Sequence, residues 1–478
     1  MRASTLRTSV DVRVKAMTDA RACQYEPRDQ RIRDPVHGLI TFRKRVELEQ
    51  LAWALLDAPE FQRLRRIKQL GPADLVFPGA THSRFAHCVG VFHTARGLLE
   101  IIRREIGEAY DEPRAEVAVL AALLHDVGHG PLSHAFESVQ RARGLRKKHE
   151  TWSAEIVRNQ DGSIFPLLER RRSDLATDIA AMLESEDPKD IYHAVVSSSF
   201  DADRLDYLRR DRLMTGTHAG AIDFDWLMEH IRVRAVEIDA PDADDEDGFA
   251  PIEVQTFCLD AKALPAAEQF LLARYTLHEQ VYFHKVKCCV ERLFAELLRR
   301  VAEHAGDAEQ QQKTGLGDGH ALVRFLRTNA LTDYLALDDG VLWGSLEEMA
   351  RAEDGRIADL AVRLRERRLF KTLDVASIGY DPDLQVRWSK RIDRKFSESL
   401  AEGTVLKDEA SLTIYTQIGA DEERTHKKLH ILDGGQPVEI AKRSRLVNAL
   451  VAPKTFTRYY FSTDSARNAA VGLKEGVR

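Results

Sequence analysis

Within ten residues, the segment His125-Asp126-Val127-Gly128-His129-Gly130-Pro131-Leu132-Ser133-His134 gathers three histidines and a carboxylate. An adjacent His-Asp pair at a helix end can turn an imidazole and a carboxylate toward one ion. That donor set suits Fe, Mn, Zn, Co or Mg rather than copper. One such divalent ion needs two further ligands. Candidates are His87, in Arg84-Phe85-Ala86-His87, and Asp203, in Asp201-Ala202-Asp203-Arg204. A lone buried histidine is more often a hydrogen-bonded core residue than a ligand, and a bare His-Asp dipeptide is a weak signal. Here the dipeptide ends an apolar run and leads into Gly-His-Gly-Pro and another histidine, a density that packing does not explain. His149-Glu150 is a further pair that can tune or relay a proton, or simply start a surface helix.

Helices must position these groups. Val117, Leu120, Ala121 and Leu124 repeat at i, i+3, i+4, i+7, a buried face that runs into His125-Asp126 and stops at Gly128. Asp57 ahead of Pro59 reads as a cap-then-proline start, with Phe61, Leu64 and Ile67 following at helical spacing. Further helices are expected over 85–106, 131–143, 149–159, 188–198 and 202–214. On the last, Asp203, Tyr207 and Asp211 share a face; alone it reads as a solvated stripe, beside a metal as a ligand, a phenol and a hydroxyl-reading carboxylate. Gly90, near His87, leaves room for close helix packing. Residues 231–239 and 251–258 read as a hairpin around an acidic turn, and 261–303 as one long helical stretch. A loop over 305–320 and strands near 411–416, 428–432 and 437–441 follow. The chain is therefore expected to be mostly α, with a flexible tail (1–30), a helical catalytic domain (31–303) and a smaller α+β C-terminal lobe (304–478).

The 478 residues are 44% hydrophobic and 31% charged, with a formal net charge of −6. That balance argues against nucleic acid as the main partner, since phosphate binding wants a basic field. Five cysteines without a CxxC pair fit reduced thiols and a cytoplasmic setting. The longest apolar run, Val117 to Leu124, is too short to span a bilayer.

Three blocks of sequence resemble the HD-domain deoxynucleoside triphosphate (dNTP) triphosphohydrolases, among them the vertebrate enzyme that joins a SAM domain to an HD domain. They are Asp57 to Gly71 (DAPEFQRLRRIKQLG), Val76 to His87 (VFPGATHSRFAH) and Leu124 to His134 (LHDVGHGPLSH). The likeness runs from about Ile32 to Lys285 and more faintly through Arg367 to Lys371. It implies a helical HD fold and hydrolysis of a dNTP to a deoxynucleoside and intact triphosphate. It implies that His87, His125, Asp126 and Asp203 hold one metal. Arg84, Arg204, Tyr207 and Arg274 would hold phosphates, with Arg204 standing where the vertebrate enzyme has lysine. Gln69 and Asp211 would read the sugar 3′-hydroxyl, and Leu70 and Tyr282 would flank the base. His129, His134, Glu137 and His149, with the neighbouring Glu150, would form the acid–base group. Glu137 replaces an aspartate and Phe283 a glutamine, which bears on substrate preference.

The same resemblance implies a nucleotide-activator site at Asp57, Gln62, Arg65, Lys262, His284, Lys285, Arg367 and Lys371, and assembly into a homo-oligomer. Arg33, Asp260 and Ala266 depart from that pattern. Two rivals remain at this stage. One is an HD phosphohydrolase acting on a dinucleoside polyphosphate, a nucleoside monophosphate or a signalling nucleotide. The other is a nucleotide sensor or nucleic-acid-binding protein with a vestigial site, supported by the basic runs Arg141 to Lys148 and Arg363 to Lys371.

Overall fold

The computed structural model describes residues 29–185, 190–218, 221–238, 252–379, 381–412, 428–450 and 454–474. Five helices frame the site: α1 (Arg84–Ile106), α2 (Glu112–Leu124), α3 (His134–Ala142), α4 (His149–Arg158) and α5 (Ala202–Thr215). α1 starts where the Ser83 side chain accepts from the Ala86 amide, as an N-cap should. α2 is capped by Asp111, with Pro113 in its first turn, and is buried continuously from Val117 to Leu124. An apolar helix buried all round belongs at the centre of a fold, and α2 delivers His125-Asp126 from its last turn. α5 is capped by Asp201 and ends at Gly216, a left-handed position with φ 70°.

The expected long helix over 261–303 is broken. α6 (Leu264–Leu277) runs into a wide π turn, His278–Tyr282, and a new helix, α7 (Lys285–Ala305), starts with His284 as its cap. Such wide turns often mark functional positions, and this one carries Tyr282. The expected start at Asp57 also differs. Asp57 closes the preceding helix, Glu47–Leu56, and Pro59–Gln62 forms a single turn that tightens into a 3₁₀ turn over Arg63–Arg66. Buried Arg63, which donates to the Leu337 carbonyl at 2.7 Å, ties that turn inward.

Among the described residues, three small sheets accompany the helices. β1 (Gln30–Asp34) and β2 (Gly38–Phe42) form an antiparallel pair in register Gln30↔Phe42. β3 (Ile231–Ile238) and β4 (Ile252–Leu259) form the expected hairpin. β5 (Lys371–Asp374), β6 (Val405–Leu412) and β9 (Lys454–Phe461) form an antiparallel sheet in the order β5-β9-β6. The hairpin β7 (His430–Asp433) and β8 (Gln436–Glu439) joins β4 in parallel through Cys258↔His430. The strands expected near 428–432 and 437–441 thus complete the sheet of the β3–β4 hairpin. Residues 413–416 of the first expected strand, and residues 1–28 of the tail, lie outside the described residues.

One apolar core lies around α1, α2 and α5, and a second packs α3 and Trp152 against α7 and the helical segments between 321 and 364. The second core is continuous across residues 303 and 304. A third, around Trp388, Ile392, Tyr459 and Phe461, fills the C-terminal sheet. Cys88, Cys258, Cys288 and Cys289 are free thiols. No helix among the described residues is long and apolar enough to cross a membrane.

Candidate active site

His87 from α1, His125 and Asp126 from the end of α2, and Asp203 from the first turn of α5 meet at one place, with His87 and Asp126 buried and His125 and Asp203 partly exposed to the cavity. His87 Nε2 lies 2.9 Å from Asp203 Oδ1 and 4.0 Å from Asp126 Oδ2. His125 Nε2 lies 3.3 Å from Asp126 Oδ1 and 3.7 Å from Asp203 Oδ1. His125 Nδ1 donates to the Ala122 carbonyl at 2.9 Å, and His87 Nδ1 donates to Asp206 Oδ2 at 2.8 Å. Those bonds make each Nδ1 a donor and turn each Nε2 toward the carboxylates. Both Nε2 atoms are buried without a hydrogen-bond partner, where a neutral fold would satisfy them. Burial lowers the His87 pKa, but Asp203 and Asp206 outweigh it and raise it to about 10. The carboxylates thus favour positive charge at this place, which a bound cation would supply in place of that proton. Two imidazole nitrogens and two carboxylates turned inward fit one divalent cation, and His87, His125 and Asp126 are close enough to share it.

Behind this group stands a network that the sequence reading did not single out. Asp206, fully buried, accepts from His87 through Oδ2, bonds His37 Nε2 at 2.6 Å through Oδ1, and takes both Nε and Nη2 of Arg210. Arg210 Nη1 then reaches Asp34 at 2.8 Å. Gly90 is what lets α1 approach: a Cβ there would lie 2.0 Å from Asp206 Oδ1. The signal in sequence was Asp206 and Arg210 at i, i+4, indistinguishable there from a surface ion pair.

On the other side of Asp126, His129 Nε2 lies 3.2 Å from its Oδ1, and Asp126, His129 and His149 form a second group with metal-ligand spacing. The His129 and His149 rings stack at 3.9 Å. His149 Nδ1 bonds Glu137 Oε1 at 2.9 Å and faces Glu150 Oε2 at 3.3 Å. Burial lowers the His149 pKa, but Glu137 and Glu150 overturn it and hold the pKa above its ordinary value. Burial, with Arg84 and His149, pushes His129 well below. Two adjacent imidazoles are thus driven apart in protonation, the condition for acid–base work. The turn into α3 holds Leu132 and Ser133 at φ 54° and 52°. Asp339 accepts from the Leu132 amide at 2.8 Å and fixes this strained backbone. The His134 side chain lies outside the described residues.

A cavity of about 600 Å³ opens onto the group and is lined by Gln69, Leu70, Arg84, Tyr207, Asp211 and Tyr282, with Phe283 beside them. That volume suits a small organic ligand. Gln69 Oε1 is buried without a hydrogen-bond partner. Asp211 bonds His82 Nε2 at 2.8 Å and accepts from the Tyr282 hydroxyl at 2.6 Å. Arg84 donates to Asp126 through Nη1 and to Ser133 Oγ through Nη2 at 2.7 Å. Arg204 and Arg274 are outside the lining but beside Tyr207, and each keeps a buried Nε without a partner. A larger groove, of about 760 Å³, contains none of the predicted residues. Arg96, Arg103 and Arg171 in its wall are paired with Glu49, Glu112 and Glu116.

His278, also in the cavity wall, reports the local field. Burial, then Arg274 and Arg204, push its pKa down to about 3. Burial also pushes His93 and His430, elsewhere in the fold, down to about 4. These imidazoles are neutral when folded and take a proton below about pH 6.5 when unfolded. The unfolded chain therefore binds more protons below that pH, and stability falls as the medium becomes more acid. Between pH 6.5 and pH 4 the melting temperature should decline steadily, and above pH 6.5 the raised pKa of His87 works the other way, so that stability also falls as the pH rises toward 10; a level profile from pH 6.5 down to pH 4 would show that these histidines are not held neutral.

The residues assigned to an activator site are exposed or partly exposed and make local contacts. Gln62 Nε2 donates to the Leu56 carbonyl at 2.7 Å, and Arg65 Nε to Gln62 Oε1 at 2.8 Å. His284 packs edge-on against Phe77, and Arg367 donates to the Leu75 carbonyl. Lys371 faces Asp464 at 3.4 Å. Among the described residues no hydrogen bond or ion pair joins Asp57, Gln62 and Arg65 to Lys262, His284, Lys285, Arg367 or Lys371.

Comparison with known proteins agrees with this geometry. The HD domain family matches residues 84–210, and the HD associated region matches residues 252–336. The chain is 29% identical to the uncharacterized protein YwfO of Bacillus subtilis over 90% of its own length and 92% of that protein. It is 28% identical to the deoxynucleoside triphosphate triphosphohydrolase SAMHD1 homolog of Dictyostelium discoideum, over 78% of this chain and 63% of that relative's length. The crystal structure of a phosphohydrolase from Bacteroides thetaiotaomicron superposes with a TM-score of 0.68 at 25% identity, covering 91% of this chain and 99% of that one. The chain thus carries an HD domain, with this His-Asp pair in it, and is similar over most of its length to HD-domain phosphohydrolases.

Proposed function

We propose that this protein is a metal-dependent dNTP triphosphohydrolase that splits a dNTP into a deoxynucleoside and inorganic triphosphate. The observation that carries the reading is the meeting of His87, His125, Asp126 and Asp203 at one point on a nucleotide-sized cavity flanked by cations. In this reading those four residues hold one divalent ion, which when bound polarises a phosphoryl oxygen and lowers the pKa of a water. Arg84, Arg204, Tyr207 and Arg274 take the phosphates and neutralise the charge that develops on them. Gln69 and Asp211 take the sugar hydroxyl, and Leu70 and Tyr282 flank the base. Glu137 holds Nδ1 of His149, leaving Nε2 to give a proton to the departing 5′-oxygen, with His129, Glu150 and His134 completing the relay. The activity for which the Dictyostelium relative is named supports this choice of substrate.

The test is chromatography of products after incubation with added Mn, Mg, Fe, Co or Zn and a nucleotide panel. Deoxynucleoside and intact triphosphate should form in equal amounts. Release of monophosphate or pyrophosphate would instead favour an HD phosphohydrolase acting on another nucleotide. Phe283 supports that second reading, because its ring cannot make the hydrogen bonds of the family's glutamine.

A cytoplasmic setting and a homo-oligomer activated by nucleotide at Asp57, Gln62, Arg65, Lys262, His284, Lys285, Arg367 and Lys371 belong to the same reading. In this reading the activator joins chains into the oligomer. Added GTP or dGTP should then raise both the dNTPase rate and the mass in solution. Flat kinetics with an unchanged mass would retire the activator site.

A further inference from the structure

Two ion pairs stand in the wall of the catalytic cavity that the proposed mechanism does not use: Lys287–Glu291 and Arg292–Asp408. The first is the more telling. Lys287 and Glu291 are one turn apart on α7, and Lys287 Nζ lies 2.6 Å from Glu291 Oε1. Their side chains are 11% and 21% exposed, so neither is fully solvated. Holding a charged pair away from water costs more than well-packed apolar residues would in the same place. A pair kept on a cavity wall at that cost is suited to a polar ligand.

Its position says which part of a nucleotide it meets. Glu291 Oε1 lies 3.8 Å from where a Cβ on Gly71 would stand, next in the chain to Leu70. Cys288, next to Lys287, directs its thiol at the Tyr282 carbonyl, 3.8 Å away. The pair therefore shares the cavity wall with Leu70 and Tyr282, the residues that would flank the base.

We infer that Lys287 and Glu291 read the edge of the nucleobase and favour guanine, an inference that rests on the nucleotide reading of this cavity. An ammonium next to a carboxylate presents donors beside acceptors. Guanine offers the matching order, with the O6 acceptor next to two donors, N1–H and the N2 amine. The carboxylate can take both donors while the ammonium holds O6. Adenine and cytosine each present one amino donor beside a ring acceptor, and thymine one donor between two acceptors, so none gives the carboxylate two donors. A bidentate contact of this kind discriminates between bases by about tenfold or more.

The experiment measures binding and kcat/KM for dGTP, dITP, dATP, dCTP and dTTP with the metal-supplemented full chain and with E291Q and K287M, each checked for an unchanged melting temperature. Wild-type protein should prefer dGTP by about tenfold over the other natural dNTPs. dITP, which lacks the N2 amine, should fall between, and both variants should level the series by lowering dGTP alone. Triphosphate release with no guanine preference, or with a preference both variants retain, overturns the inference and leaves the dNTPase reading standing. Selective dGTP binding lost in the variants, without triphosphate release, supports the inference and retires that reading. Should E291Q fail to fold, K287M decides alone: equal losses for every base would overturn base reading.

Discussion

Replacing His125 and Asp126 together by alanine should remove metal and turnover in the same preparation, with activity falling by more than about a thousandfold. Loss of a single polarising hydrogen-bond donor already costs about 10²–10³ in rate, and this change removes the ion that generates the nucleophile. His125 is part-exposed at the cavity and its loss should cost little stability, but losing Asp126 leaves buried Arg84 without its carboxylate, so a lowered melting temperature with a cooperative transition is expected. Metal analysis and product chromatography check the two losses, and the cooperative melting transition shows that the fold is intact. Full activity in this variant would place the chemistry elsewhere.

The second large effect is expected at Asp206, which touches no substrate in the proposed arrangement. Asp206→Ala leaves Arg210 and His37 buried without their carboxylate and frees the Nδ1 of His87. Breaking a buried charge pair from one side costs about 3–5 kcal/mol. Losing the partner that orients a ligating histidine weakens metal binding by about 10–100-fold. Denaturant unfolding of the metal-free protein reads the first effect, and metal titration reads the second. Gly90→Ala should reproduce both in part, because its Cβ would displace Asp206 and Arg210. A variant with unchanged stability and metal affinity would show that Asp206 is a bystander.

These two expectations differ in how far they could be read from sequence. α2 announces itself, because its apolar periodicity runs without interruption into a His-Asp pair, and an apolar helix has nowhere to go but the centre. α5 does the opposite. ADRLDYLRRDRLMT reads as a solvated helix, yet Asp206, Arg210 and Asp211 are almost wholly buried. Their charges are satisfied by residues 119 to 176 positions away in the chain, such as His87 and Asp34, and no local pattern reveals such partners. The break between α6 and α7 was hidden for a related reason: apolar and charged residues continue in helical order across it, and the turn depends on tertiary contacts such as Tyr282 with Asp211. The hairpin β3–β4 was visible from its alternation, but its parallel neighbour β7 lies about 170 residues on, where pairing leaves no trace in either strand alone.

The central claim is that His87, His125, Asp126 and Asp203 share one cation. An anomalous-scattering map from crystals of the protein grown with Mn or Zn tests it without reference to any substrate. The account predicts one strong peak bounded by His87 Nε2, His125 Nε2 and a carboxylate oxygen from each of Asp126 and Asp203, at distances of about 2.0–2.2 Å. A metal-loaded crystal with its peak at another place, or with those four side chains turned away from it, would contradict the account.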